Sequence, residues 1–187
     1  DQQSTVYAVC RNGVLHVLHT DASEQRTIDL DTIPLSNDPD HVLNPSNILH
    51  VTYSNGYIYL AFESGEIKAL NTTTYEFFKM REPDLGKSIT ALCTTSSILI
   101  SRHNYCPASA DIHSLVLSCS SNGGFTVHCA LCYNFIASWK LSNSKITQIK
   151  MVPDKKLLAA IDDTHFYIYK ESNNMLAKAC TFEFEEE

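Results

Sequence analysis

The chain lacks a basic excess and any long apolar run. Among its 187 residues, 14 Lys and Arg stand against 21 Asp and Glu, which gives a formal net charge of −7. Because a surface that neutralises phosphates needs clustered basic residues, this balance argues against nucleic-acid and phosphoinositide binding. No run approaches the roughly 18 apolar residues of a membrane helix, and no secretory signal opens the chain. We therefore expect an intracellular protein, in the cytoplasm, the nucleus or both.

The cysteines show no disulfide framework. Seven of them are scattered within apolar runs, at positions 10, 93, 106, 119, 129, 132 and 180. An odd number without regular spacing predicts reduced, buried thiols, as is usual in intracellular proteins.

Helical periodicity is also missing, since no window sustains apolar residues at i, i+3, i+4 and i+7 over three turns. Instead, an apolar run, a tight polar break and an alternating apolar run recur at 5–20, 57–72, 114–131 and 156–171. The breaks contain residues that tolerate positive φ, as tight hairpin turns require, and the flanks are rich in β-formers. These breaks are Asn12-Gly13, Ser64-Gly65, Asn122-Gly123-Gly124 and Asp162-Asp163. The sequence therefore predicts four β-hairpins in an all-β chain.

The hairpins recur at distances that fit four-stranded units. From Gly13 to Gly65, Gly65 to Gly124 and Gly124 to Asp163 the distances are 52, 59 and 39 residues. The shortest is close to the roughly 40 to 45 residues of a propeller blade, and loops inserted into the unit explain the others. We predict a single β-propeller domain, or part of one, with blades at 5–30, 47–80, 88–141 and 145–180. The first blade has no inner strand before its hairpin, and the proline-containing segment 31–46 is predicted to be irregular.

With these units in order, the chain resembles a degenerate WD40-type β-propeller. The resemblance is clearest over residues 46–78 and 144–170. The Trp-Asp pair of that family is absent from the four positions where it is expected, at Leu18-His19, Leu70-Asn71, Ala130-Leu131 and Tyr169-Lys170. The resemblance implies a propeller that presents loops and edges to other proteins.

About four blades are fewer than that family usually has, and three explanations compete. The chain is a fragment, further blades lie elsewhere, or strands from a partner complete the ring. The missing inner strand of the first blade favours a fragment over a self-closed ring of four blades.

The nearest approach to a metal motif is the CxxC pair Cys129 and Cys132, with His128 beside it and Cys119 expected across the hairpin. Such a set would resemble a zinc site. Successive strand residues point to opposite faces, so His128 and Cys129 are not expected to converge. We expect no metal and no cofactor.

Two groups of residues are candidates for binding a partner. The insertion at 102–113 brings together Arg102, His103, Tyr105 and Pro107, and loops on a rigid scaffold commonly carry contacts. An aromatic set is the second candidate, but strand alternation favours a place in the core for it. Its members are Tyr53, Tyr57, Tyr59, Phe62, Tyr75, Phe77 and Phe78.

The sequence contains no nucleophile elbow, phosphate loop or HExxH motif. The function predicted is that of a non-catalytic scaffold for protein–protein interaction, a subunit of a multiprotein complex. One alternative is a propeller-type enzyme with a site at the channel mouth. A nucleic-acid or phosphoinositide reader is the other.

Overall fold

The computed structural model describes residues 5–19, 25–36, 47–80, 88–97, 113–152, 155–172 and 175–184. These residues form fifteen β-strands and one short 3-10 helix, Leu30–Thr32. The predicted all-β class is confirmed. None of the described residues belongs to a helix with the length and apolarity to cross a membrane.

The strands form four antiparallel sheets, each made of strands that follow one another in sequence. The first sheet contains β1 (Thr5–Val9), β2 (Val14–His19) and β3 (Gln25–Asp29). The second contains β4 (Ile48–Ser54), β5 (Tyr57–Phe62), β6 (Ile67–Asn71) and β7 (Phe77–Lys79). The third contains β8 (Ile89–Ser97), β9 (His113–Ser120), β10 (Gly124–Cys129) and β11 (Phe135–Lys140). The fourth contains β12 (Gln148–Val152), β13 (Leu157–Ile161), β14 (His165–Ser172) and β15 (Met175–Glu183).

Three of the four predicted hairpin turns use glycine in the left-handed region. Gly13, Gly65 and Gly123 have φ values of 82°, 90° and 76°. The fourth turn differs from the prediction, because neither Asp162 nor Asp163 has a positive φ. There the Asp162 carboxylate accepts hydrogen bonds from the backbone amides of Thr164 and His165, which close the turn without a left-handed residue.

The sheets pack face to face in chain order. Leu15 and Val17 of the first sheet share a core cluster with Ile58 and Leu60 of the second. The opposite face of β5, with Tyr59 and Ala61, packs against Val116 of the third sheet. A third cluster joins the third and fourth sheets, and includes Leu117, Phe125, Leu158 and Tyr167. The second and third sheets therefore bury both of their faces.

The innermost strands lie side by side. β8 contacts β4 on one side and β12 on the other. Each sheet then extends outward from its first strand, so the four sheets are arranged like blades around a common centre. That these sheets make up a single domain or part of one stays a prediction.

Several details differ from the sequence-based expectation. Segment 31–46 is not wholly irregular: Asp29 caps the 3-10 helix through the Asp31 amide, and buried Leu35 forms a bridge with Phe77 of β7. β12 begins at Gln148 instead of residue 145. The sequence also predicts a strand extension at 98–101 and a turn at Pro153-Asp154. These positions, and the rest of segment 31–46 at 37–46, lie outside the described residues.

The close approach at Gly123 predicts an unequal effect of two glycine substitutions. A Cβ at Gly123 would lie 2.2 Å from the carbonyl oxygen of Ser142, whereas at Gly56, also left-handed, it would meet only Thr72 at 4.0 Å. We expect Gly56→Ala to cost about 1 kcal/mol of unfolding free energy from its backbone conformation alone. Gly123→Ala should cost at least about 2 kcal/mol more, because backbone must move. Urea unfolding of both variants measures the difference, and equal losses would contradict the packing at this turn.

Candidate functional site

The predicted partner-binding loop lies outside the described residues. Arg102, His103, Tyr105 and Pro107 all fall between β8, which ends at Ser97, and β9, which begins at His113. Their role in binding stays a prediction.

A groove of about 550 Å³ lies beside β1, where the first and second sheets meet. Tyr7 of β1 and Tyr53 of β4 form one wall, with stacked rings whose centroids are 5.9 Å apart. The remaining lining comes from Thr5, Val51, Thr52 and Ile58. The groove thus combines an aromatic pair with the edge of a β-strand, two features that extended peptides use in recognition.

Tyr53 belongs to the aromatic set that strand alternation favours for the core. Tyr59, Phe62 and Phe77 are buried as expected, but Tyr53 is largely exposed. Alternation predicts which face of β4 carries Tyr53 and does not show whether anything covers that face.

A polar cleft of about 350 Å³ lies at the junction of the third and fourth sheets. Asp162 lies beneath it, buried, and accepts hydrogen bonds from the Tyr167 hydroxyl at 2.7 Å and the Ser142 hydroxyl at 3.1 Å. Its other oxygen accepts from the amides of Thr164 and His165. Acids in turns usually bond their own backbone, as Asp162 does, but its two side-chain donors lie in β14 and in the linker before β12 and were not predicted.

These hydrogen bonds determine the ionisation of Asp162. Burial by itself raises the pKa of a carboxyl group, but the donors Tyr167, Thr164, His165 and Ser142 outweigh it and lower the pKa of Asp162 to about 2. The Ser142 hydroxyl donates to this carboxylate, and His165 Nδ1 lies 3.6 Å from the same group. An activated serine would instead donate to the imidazole. The arrangement joins the linker before β12 to the fourth sheet.

A second buried charge lies in the second sheet. Lys68 is 1% exposed and forms an ion pair with Glu66 at 3.4 Å, while its ammonium lies 4.5 Å from the centroid of the Phe62 ring. Burial lowers the pKa of Lys68, and Glu66 partly offsets that effect. Lys79 also contacts Glu66, at 3.2 Å. Glu66 therefore stands between two lysines and partly offsets the effect of burial on the Lys68 ammonium.

Cys119, His128, Cys129 and Cys132 do not come together as a metal site. Cys119 pairs with Phe125, and His128 pairs with Val116, so Cys119 is not across from His128 as expected. Cys119 belongs to the cluster facing the fourth sheet, whereas Val116 belongs to the one facing the second. Within the described ranges, no three His, Cys, Asp or Glu side chains form a group that could hold a metal ion.

The cysteine thiols differ in exposure. Cys93, Cys119 and Cys129 are buried, as predicted, and burial raises the pKa of Cys93 to about 11 and that of Cys129 to about 12. Such thiols remain protonated and weakly reactive at neutral pH. Cys10 contradicts the prediction of burial, since it is exposed at the end of β1 next to the first turn.

The outer face of the fourth sheet carries a group of apolar side chains, with Gln148, Lys150 and Lys170 on the same face. Leu158, Ala160 and Tyr167 of this sheet point into the core, so the alternate residues of β13 and β14 point away from it. On that side Phe166 pairs with Ile161 on one strand and Phe182 on the other, and the two phenylalanine rings are 6.0 Å apart. Phe182 and Val152 are exposed. A solvent-facing side of an antiparallel sheet is usually polar, so this face is unusual.

Comparison with known proteins shows the fold and nothing narrower. No family model matches the chain, and no curated protein matches it. Among solved structures, the computationally designed Ika8 protein has a TM-score of 0.64 at 12% identity, over 95% of this chain and 46% of that chain. The designed Ika4 protein has a TM-score of 0.63 at 12% identity, over 92% and 88%.

The Cps50 (Swd1) beta-propeller domain of Myceliophteria thermophila has a TM-score of 0.63 at 10% identity, over 95% of this chain and 55% of that chain. The chain thus spans about half the length of Ika8 and of the Cps50 domain. At these identities the similarity shows the fold alone. The chain has a β-propeller fold.

The lowered pKa of Asp162 predicts a dependence of stability on pH. With a pKa of about 2 in the folded state and about 3.9 in the unfolded state, the carboxylate stabilises the fold fully above about pH 5 and progressively less below it. We expect wild-type protein to lose about 2 kcal/mol between about pH 5 and 2 from this group, and Asp162→Asn to lack that part of the loss. Urea unfolding across this range measures it. Asp163→Asn is the matched control, and a wild-type slope retained in Asp162→Asn would contradict the prediction.

The buried ion pair predicts a rescue by a second substitution. Glu66→Gln removes the carboxylate that offsets the Lys68 charge, and we expect it to lower the unfolding free energy by about 3 kcal/mol. The double variant Glu66→Gln with Lys68→Met should recover most of that loss, because no buried charge remains. Glu63→Gln, at an exposed site in the same turn, should change stability little. Thermal unfolding compares the four proteins, and a double variant no better than Glu66→Gln would rule out charge burial as the cause.

Proposed function

We propose that this β-propeller is a WD40-like, non-catalytic scaffold that binds other proteins as a subunit of a multiprotein complex in the cytoplasm, the nucleus or both. The observation that carries the proposal is the exposed apolar face of the fourth sheet. Its side chains, Phe166 and Phe182 among them, are of the kind that other sheets of the chain bury against a neighbour. Such a face favours association with protein surface over exposure to water.

The chemistry of the described polar groups supports a binding role. The polar cleft between the third and fourth sheets is lined by Ser142 and His165 and lies over the buried Asp162, but the serine donates to the carboxylate. The buried Lys68 is engaged by Glu66. Both clusters hold segments of the fold together, and neither presents a nucleophile beside a free base. A propeller-type enzyme would need such a pair, or a metal, at the channel mouth.

Co-purification with a matched pair of variants tests the proposal. We expect the tagged wild-type protein to retain at least one protein in stoichiometric amount, and Phe182→Glu to lose it, because a charge on the apolar face opposes burial. Leu131→Glu is the control, since Leu131 is 47% exposed and Phe182 is 54% exposed. Circular dichroism melting establishes that both variants fold.

Two results would overturn the proposal. One is a wild-type protein that sediments alone at cellular concentrations and converts a small molecule. The other is a set of bound proteins that Phe182→Glu and Leu131→Glu leave unchanged.

A further inference from the structure

In the part of the chain that the structure describes, the first sheet has one strand fewer than the other three. In each of the second, third and fourth sheets an inner strand pairs with the first strand of the hairpin, β4 with β5, β8 with β9 and β12 with β13. β1 is the strand equivalent to β5 and β9, because its turn with β2 matches theirs, and to β13, because each is the first strand of its hairpin. Among the described residues β1 pairs only with β2. The place of an inner strand beside β1 is the groove that Tyr7 and Tyr53 line.

The backbone of β1 is ready to pair on that side. The Cys10 amide donates to Val14 on β2, so strand alternation directs the amide and carbonyl groups of Val9 and Tyr7 away from β2 and toward the groove. In the second sheet, the equivalent side of β5 pairs with β4. Just beyond β5, the Glu63 amide donates to the carbonyl of Asn47, which precedes β4. At the same point of the first sheet, the Arg11 carbonyl accepts a bond from Ile48. β1 therefore presents an edge for strand addition.

The side chains across the groove are exposed where their equivalents are covered. Val51 and Tyr53 on β4 pair with Leu60 and Ile58, at positions that Ile149 and Met151 occupy on β12. Val51 and Tyr53 are 46% and 54% exposed, whereas Ile149 and Met151 are 8% and 5% exposed.

The difference follows from the preceding sheet. β8 lies against β12 and covers Ile149 and Met151, but no inner strand of the described first sheet lies against β4. The side chains of β8 that share the core cluster with Ile149 and Met151 are Ala91 and Cys93, both small and uncharged. Thr95, on the same side of β8, is also buried. A strand that covers Val51 and Tyr53 in the same way needs similar side chains, all the more because the rings of Tyr7 and Tyr53 fill part of the space.

We propose that the groove beside β1 binds an extended segment of a partner protein, which adds to the first sheet as its inner strand. The segment runs antiparallel to β1, bonds to the backbone of Tyr7 and Val9, and places small uncharged side chains at alternate positions over Val51 and Tyr53. This inference rests on the proposed function as a protein-binding scaffold and names a second surface, distinct from the apolar face of the fourth sheet.

A peptide based on the sequence of β8, the strand that covers Ile149 and Met151, tests the proposal on the full chain. The probe is a blocked, fluorescein-labelled peptide with the sequence of residues 88–95 and alanine in place of Cys93. We expect saturable binding by fluorescence anisotropy, and amide hydrogen exchange at Tyr7 and Val9 slowed at least about tenfold when the peptide is bound. A control peptide with glutamate at the positions of Ala91 and Cys93 should bind at least about tenfold more weakly, because its charges would face the apolar wall.

Matched variants locate the binding. Val51→Glu should weaken binding of the probe at least about tenfold, and Leu131→Glu, at a similarly exposed residue outside both proposed surfaces, should leave it unchanged. Because Val51 and Leu131 are both exposed, both variants should melt like the wild type.

Three outcomes would overturn the inference. They are the absence of saturable binding to folded protein, equal binding to Val51→Glu and wild type, and unprotected Tyr7 and Val9 amides in the bound state. A concentration-dependent dimer in sedimentation, abolished by Val51→Glu, would assign the groove to a second copy of this chain instead. If partners co-purify through the fourth sheet while the probe fails, the scaffold function stands and only the groove is rejected.

Discussion

The second and third sheets carry apolar side chains on both faces, and each face needs a neighbouring sheet. β5 shows the constraint within one strand, since Ile58 and Leu60 point to the first sheet while Tyr59 and Ala61 point to the third. Full burial of a side chain of this size contributes about 1.5 to 3 kcal/mol. An isolated hairpin, by contrast, is marginally stable at best. The sheets are therefore stable as a stack, and the order of the stack follows the order of the chain.

Polar contacts fix how neighbouring sheets meet. Asp162 draws Ser142 of the preceding linker to the start of the fourth sheet, and the Tyr169 hydroxyl donates to the carbonyl of Leu141 in the same linker. These contacts secure the fourth sheet to the linker that precedes it. In the second sheet, Glu66 and Lys68 place a charged pair beside Phe62. Buried groups of this kind are satisfied only in one arrangement of the strands.

The need of each apolar face for a neighbouring sheet also identifies the surfaces that are left exposed. Where the described residues provide a neighbouring strand, inner-strand residues such as Met151 are buried, and where they provide none, the equivalent Tyr53 is exposed. The outer face of the fourth sheet is a second place where apolar side chains are exposed. Both surfaces lie on rigid sheets, which limits the conformational entropy that a partner must remove on binding.

The sequence by itself determined the strands, their hairpins and the all-β class, because turn chemistry and two-residue alternation act over a few neighbouring positions. Glycine at positions 13, 65 and 123 and the apolar runs beside it are local signals of that kind. Tertiary structure alone decided the exposure of Tyr53, the burial of Lys68 and the bonds from Ser142 and Tyr167 to Asp162. Each of these depends on which strand lies opposite a side chain, and that is set by contacts between sheets distant in sequence. The groove beside β1 is such a feature, since it exists only through the relation of two sheets whose facing strands are about 45 residues apart in the chain.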